Sequence, residues 1–206
     1  SYGDTGSTLY YEKSQHLMFL FKNKLSYESI IQDKAKKYIK KSDIIFDIGG
    51  NIGQYTLLFS KLVGETGKVI SFEPDYKNFS FLQFNVNINN LTNVTCEKIG
   101  IGDINDTIEF YRDTETGGRR GSFNRSFVGD TYKGLKVKVE TITLDYLIEK
   151  YGEPNFVKVD VEGFEANVVN GLTKNLTNTI FLIEVRDETK EKVFNYFQER
   201  GYYCSY

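Results

Sequence analysis

From residue 43 onward, short continuous apolar runs alternate with segments whose apolar residues return every three or four positions. A continuous apolar run bounded by glycine or polar clusters predicts a strand buried on both faces, and the second pattern predicts an amphipathic helix. Strands are expected at 43–48, 68–73, 94–99, 156–161 and 179–185. Helices are expected at 54–63, closed by Gly64, and at 75–89, with Phe79, Leu82 and Val86 on one face. Two more follow, at 164–172 and at 189–200, the last stopped by Gly201. Thr143 can cap a further short helix that carries Asp145 in its first turn. This alternation predicts an α/β fold, a Rossmann-like three-layer sandwich on a mostly parallel sheet.

Two stretches break the rhythm. Residues 1–42 read as an N-terminal helical extension, apolar at 17–25 and helical with a basic end at 28–41, ahead of a main domain at 43–206. Residues 104–142 read as a hairpin insertion, with strands at 107–111 and 136–142. Its loop, Gly117-Gly118-Arg119-Arg120-Gly121-Ser122-Phe123-Asn124-Arg125, suits a lid or an acceptor-binding element, and equally a solvated loop.

Composition narrows the classes. The 206 residues fit one domain, and the net charge of −2 gives no overall basic excess for nucleic acid. No apolar run approaches the roughly 20 residues of a membrane span, and no signal peptide is visible. Cys96 and Cys204 form no C-x-x-C pattern, so a reducing, cytoplasmic setting is expected, with Cys96 a core residue.

The most informative stretch is Asp47-Ile48-Gly49-Gly50-Asn51-Ile52-Gly53, which leaves the first strand and opens the first helix. Glycines let a ligand approach the main chain, and a helix N-terminus offers N–H groups to an anion. A dinucleotide fingerprint, G-x-G-x-x-G, fails here because Asn51 stands at the third position and Gly53 comes one residue early. S-adenosylmethionine fits better: Asp47 suits its positive end, directly or through water, and the turn's N–H groups suit its carboxylate. Glu73, closing the second strand, can accept both ribose hydroxyls of an adenosine. Asp103, after the third strand, is a candidate for the adenine amino group.

These residues resemble the FkbM-type methyltransferases of the class I, S-adenosylmethionine-dependent superfamily. The resemblance is carried by residues 46–56, by Phe72-Glu73-Pro74-Asp75, by Thr143-Leu144-Asp145, and above all by Lys158-Val159-Asp160-Val161-Glu162-Gly163-Phe164-Glu165. It implies a sheet of about seven strands with an antiparallel last hairpin, and methyl transfer to a hydroxyl of a sugar, glycan or secondary metabolite. By motif it assigns cofactor binding to Asp47, Gly49, Asn51, Gly53 and Glu73. Gln54 and Pro74 lie inside the same motifs and join the candidates, and Tyr27-Glu28 is expected to close over the methionine end. Two features depart from the family: Gly50 stands where Ala is usual, and little chain follows Gly201 for the last hairpin.

Methylating an alcohol calls for a base or a metal. His16, the single histidine, lies in the extension, where a helix-surface role is the plain reading. The strand-end acids are better placed. Asp160 and Glu162 are the catalytic candidates, with Glu184 at the next strand end, and a divalent cation is compatible with such a set but not required. A nucleic-acid base methylase would carry Pro-Pro-aromatic or Pro-Cys where this chain reads Asp160-Val161-Glu162-Gly163. The rival readings are a nicotinamide oxidoreductase and a non-catalytic adenosine-ligand-binding protein. The expected partner is a small-molecule or glycan acceptor.

Overall fold

The computed structural model describes residues 6–12, 26–112, 121–125 and 134–205, with side chains of the first helix from residue 31 onward. In chain order the elements are α1 (Ser26–Tyr38), β1 (Ile44–Ile48), α2 (Gln54–Val63), β2 (Lys68–Phe72), α3 (Tyr76–Ile88) and β3 (Val94–Glu97). There follow β4 (Gly100–Ile101), β5 (Asp106–Arg112), β6 (Leu135–Ile142), α4 (Leu144–Tyr151), β7 (Phe156–Val159), α5 (Glu165–Asn170), β8 (Ile180–Ile183) and α6 (Asp187–Glu199).

Five strands form a wholly parallel sheet in the order β3-β2-β1-β7-β8. Their side chains alternate between two cores, as pleated strands require. Ile45, Val69 and Phe156 face one side and meet Ala35 of α1, Ile39 just after it, and Leu58, Phe59 and Val63 of α2. Phe46, Ile48, Ile70, Phe72, Val157 and Val159 face the other and meet α4, α5 and α6. The three-layer sandwich expected from the apolar runs is therefore present. Burial on both faces explains why the strands read as unbroken apolar runs rather than alternating ones.

The strand count is close to that expected, but the strands divide. Among the described residues, β4, β5 and β6 form a second sheet in the order β4-β6-β5. The expected strand at 94–99 ends at Glu97, and Gly100 and Ile101 pair with Thr141 and Ile142 instead. Antiparallel pairing occurs in the β5–β6 hairpin, from Asp106↔Thr141 to Arg112↔Leu135, and no strand follows α6 among the described residues.

The helix ends follow their caps. Asp75 caps α3 by accepting from the N–H groups of Lys77 and Asn78, Thr143 caps α4, and Gly64 closes α2. Residues 17–25, His16 and Gly117 to Arg120 of the insertion loop lie outside the described residues. Glu28 falls in α1, but its side chain is also outside them.

Candidate active site

β1 and β7 are parallel neighbours, so the turns that leave them meet at one edge of the sheet. They touch at Gly49, where φ is +78° and a Cβ would stand 1.9 Å from the carbonyl oxygen of Asp160. No other residue type fits that approach.

The turn's early N–H groups serve the protein itself. Gly49 and Gly50 both donate to the carbonyl of Phe72, and Gly53 donates to that of Gly50. Asn51, at φ +50°, donates to Glu73 Oε2 at 2.8 Å. The anion-binding capacity expected of the whole turn is thereby confined to the start of α2. There Gly53 (φ +95°) provides no side-chain cap, so first-turn N–H groups are left without one. Beside them, Asn51 Oδ1 and Gln54 Nε2 are buried without a protein partner. A free acceptor and a free donor at an uncapped helix start suit the ammonium and carboxylate of an amino-acid moiety.

Asp47 has no exposed surface. Its Oδ2 accepts from the Thr56 hydroxyl at 2.6 Å, and its Oδ1 faces Lys158 Nζ at 3.5 Å. In this geometry it lies beneath the turn, with the Thr56 hydroxyl and Lys158 as its neighbours. Glu73 is also buried. Its Oε1 accepts from the Asp75 N–H at 2.9 Å while Oε2 takes Asn51, leaving further lone pairs on both oxygens. Burial pushes its carboxyl up to about 8, against the two backbone bonds that favour the ionised form. Pro74 lines a cavity of about 370 Å³ with Tyr76, Lys98, Arg112 and residues 137–140 of β6. Arg112 closes on Asp75 with Nε 2.6 Å from Oδ2. Asp103 is exposed and accepts from Asn167 of α5 at 3.0 Å, and no contact joins it to Glu73.

The strand-end acids do converge. Glu162 pairs with Arg186, and Arg186 reaches Glu184 at 3.6 Å. Asp160 pairs with Lys158 at 3.4 Å. Burial pushes the Glu162 carboxyl up to about 7, helped by the charges of Asp160 and Glu184 and opposed by Arg186. Glu162 and Gly163 both sit in the left-handed region, at φ +51° and +89°. That tight turn is held from two sides. Glu165, 1% exposed, accepts from the Gly163 N–H at 2.8 Å and from Thr189 at 2.7 Å. From the insertion, Ser122 donates to the Glu162 carbonyl at 2.7 Å and Asn124 to that of Gly163 at 3.2 Å. Phe123 anchors this arm between Phe110 and Phe164.

Sequence reasoning finds no place for Arg186, places Lys158 and Glu165 only within the family motif, and sets Ser122–Asn124 in a loop suited to a lid or acceptor-binding element rather than in a prop for the Glu162 turn. A lysine in the otherwise apolar run Phe156-Val157-Lys158-Val159 was a readable signal, since a buried charge requires partners. Arg186 and Ser122 carried none, because their partners are remote in sequence. Cys96 is partly buried, with its thiol pushed up to about 11 by burial and the charges of Asp47 and Glu97, which disfavours the thiolate. Among the described residues no group of three or more His, Cys, Asp and Glu forms a metal site, and no helix is long and apolar enough to cross a membrane.

The chain is similar to a hexuronic acid methyltransferase, AglP, of Haloferax volcanii, at 29% identity over 146 residues, covering 70% of this chain and 56% of that protein. It is similar to a protein named methyltransferase 1 of Beauveria bassiana, at 28% identity over 144 residues, covering 62% of this chain and 57% of the other. The chain thus spans a little over half the length of these curated relatives. Among solved structures, a precorrin-6y C5,15-methyltransferase of Geobacter metallireducens superposes with a TM-score of 0.54 at 13% identity, covering 88% of this chain and 75% of that one. A Clostridium thermocellum protein described as an rRNA methylase superposes with a TM-score of 0.53 at 18% identity, covering 83% and 78%. At such identities these two speak for the fold alone. The methyltransferase FkbM domain profile matches residues 47–204, from the acid beneath the glycine turn to the last described residues, and the chain belongs to that family.

Proposed function

We propose that this domain is an S-adenosylmethionine-dependent O-methyltransferase acting on a hydroxyl of a sugar, glycan or secondary metabolite. The observation that supports it most is the packing of Gly49 against the Asp160 carbonyl. It sets the uncapped start of α2, with its unpaired Asn51 and Gln54 atoms, beside the acids of β7 and β8.

In this reading Gly53, Asn51 and Gln54 receive the methionine arm, and Glu73 and Pro74 face the adenosine. Asp103, with Oδ2 accepting from Asn167, keeps Oδ1 for the adenine amino group, and Asp47 acts through the turn. Bound S-adenosylmethionine supplies an electrophilic methyl group on a sulfonium. Glu162 is the base: held near 7, it accepts the acceptor's hydroxyl proton as that oxygen takes the methyl group. Asp160, fixed by Lys158, orients the hydroxyl. No metal is needed in this scheme.

The acceptor's reacting group is neutral. Among the described residues, the acids Asp160, Glu162 and Glu184 outnumber the cations paired with them, Arg186 and Lys158, so a carboxylate or phosphate at the reacting position meets repulsion. A sugar hydroxyl does not, and the similarity to a hexuronic acid methyltransferase favours a sugar, whose own carboxylate, where it has one, would sit away from these acids. The same charge balance disfavours nucleic acid. A cytoplasmic setting agrees with two cysteines that form no disulfide.

Calorimetry with S-adenosylhomocysteine and with NAD tests the cofactor, and the mass gain of one methylene on a panel of sugars tests the reaction. NAD binding without S-adenosylhomocysteine binding would overturn the proposal.

A further inference from the structure

We propose that Lys158 is a positioning residue for the methionine arm of the cofactor, holding the glycine turn in shape from the neighbouring strand; this rests on the S-adenosylmethionine reading above. β7 is buried along its whole length, and Lys158 itself is only 3% exposed. Burying an ammonium is costly, so its partners define its task.

Those partners all surround the turn. Lys158 Nζ donates to the Gly49 carbonyl at 3.0 Å and stands 3.5 Å from Asp47 Oδ1 and 3.4 Å from Asp160 Oδ2. It also lies 5.2 Å from the centre of the Tyr55 ring, in the first turn of α2. One ammonium therefore joins β1, the turn, α2 and the acceptor-side acid.

The bond to Gly49 is the specific one. The peptide between Gly49 and Gly50 is clamped at both ends, its carbonyl by Lys158 and its N–H by the Phe72 carbonyl at 2.9 Å. This plane leads directly into Asn51, whose left-handed backbone aims the unpaired Oδ1 and whose N–H is taken by Glu73. With the carbonyl end released, that peptide can rotate, and the Asn51 and Gln54 atoms lose their common register. Glu73 remains tied to Asp75, so the adenosine side keeps its own support. Burial would depress the Lys158 ammonium, but Asp160 and Asp47 more than offset that and keep it charged.

The prediction is selective loss. Replacing Lys158 alone strands Asp47 as a buried, unpaired charge, so the informative variant is Asp47→Asn combined with Lys158→Met. S-adenosylhomocysteine carries the amino-acid arm, and 5′-methylthioadenosine lacks it. In calorimetry the double variant is expected to bind S-adenosylhomocysteine about tenfold or more weakly, as loss of a charge-assisted hydrogen bond in the turn implies, and methylthioadenosine within about twofold of wild type. Lys158→Arg, which retains the charge and a donor, should recover most of the loss. Equal weakening of both ligands, or none of either, would overturn the role while leaving the cofactor reading intact. Wild-type protein that binds neither ligand would overturn both.

Discussion

The acids beneath the glycine turn and the acids at the ends of β7 and β8 are both partly or wholly buried, yet they are held differently. Glu73 is held by backbone N–H groups, and Asp47 by a threonine hydroxyl on Oδ2 and one lysine facing an Oδ1 that makes no hydrogen bond, all set by the sheet and the turn. Glu162 and Glu184 share a single arginine, and Asp160 shares Lys158 with Asp47. Glu73's backbone partners are fixed by the turn, and Asp47's side-chain partners stand on β7 and α2, so both acids shape the turn, although burial lets Glu73, pushed up to about 8, hold a proton at neutral pH. Side-chain partners can exchange, and acids in excess of cations are where a proton can move at neutral pH. Burial alone therefore does not separate a catalytic carboxylate from a structural one; what sets Glu162 apart is its place at the proposed acceptor side, paired with Arg186.

The largest effect that tests this contrast is expected at Glu162. Glu162→Gln should lower kcat by about 10²–10⁴-fold, the range for removal of a general base, with S-adenosylhomocysteine affinity within about twofold. In the wild type kcat/KM should rise with pH through about 7, where the carboxyl loses its proton, and the variant should lose that limb. Stability follows the same group. Between the ordinary 4.5 and about 7 the folded chain keeps a proton that the unfolded chain releases, so this contribution is present below 4.5 and is lost as pH rises through 7. A variant that retains both the limb and the rate would place the base elsewhere.

Asp47→Ala should instead strike the fold. Removing one partner of a buried pair leaves Lys158 with Asp160 as its remaining carboxylate, beside the Gly49 carbonyl, at a cost of up to about 3–5 kcal/mol in denaturant unfolding. A loss below about 1 kcal/mol would show that Asp47 is not scaffold. Glu73→Ala removes the acceptor of two backbone N–H bonds and the proposed ribose contact. About 1.5–3 kcal/mol is at stake, or about a 10–100-fold loss of S-adenosylhomocysteine affinity by calorimetry.

The sequence revealed the elements that rely on local pattern. Buried strands, capped helices and the turn after β1 are written in contiguous residues, and Gly49 and Gly53 do sit at positive φ. That Asp160, Glu162 and Glu184 stand at adjoining strand ends was readable, whereas their pairing through Arg186 and Lys158 was not. Two further things were not readable. One was direction: Asp47 and Glu73 closed strands as expected, but whether a carboxylate faces the crevice or the turn depends on which N–H groups and hydroxyls surround it in three dimensions. The other was the second sheet. Nothing in residues 94–101 signals that the chain leaves β2 after Glu97 and pairs Gly100 with Thr141, since that pairing spans about 40 residues.

The smallest expected effect sharpens the contrast from the insertion's side. Ser122 is fully buried, donates to the Glu162 carbonyl at 2.7 Å and accepts from the Asn124 N–H at 2.9 Å. It touches the Glu162 backbone and not its carboxylate, so it positions the base without sharing its charge. Ser122→Ala should cost about 1 kcal/mol of stability, because a buried carbonyl loses its donor. It should lower kcat several-fold while leaving the pH limb near 7 and the S-adenosylhomocysteine affinity unchanged. The reason is the left-handed turn: Glu162 at φ +51° and Gly163 at φ +89° are held by bonds from Glu165 on one side and Ser122 and Asn124 on the other. Loosening one side lets the carboxylate wander, a change in position rather than in proton affinity. A shifted limb with an unchanged rate would mean that the insertion tunes charge and not geometry.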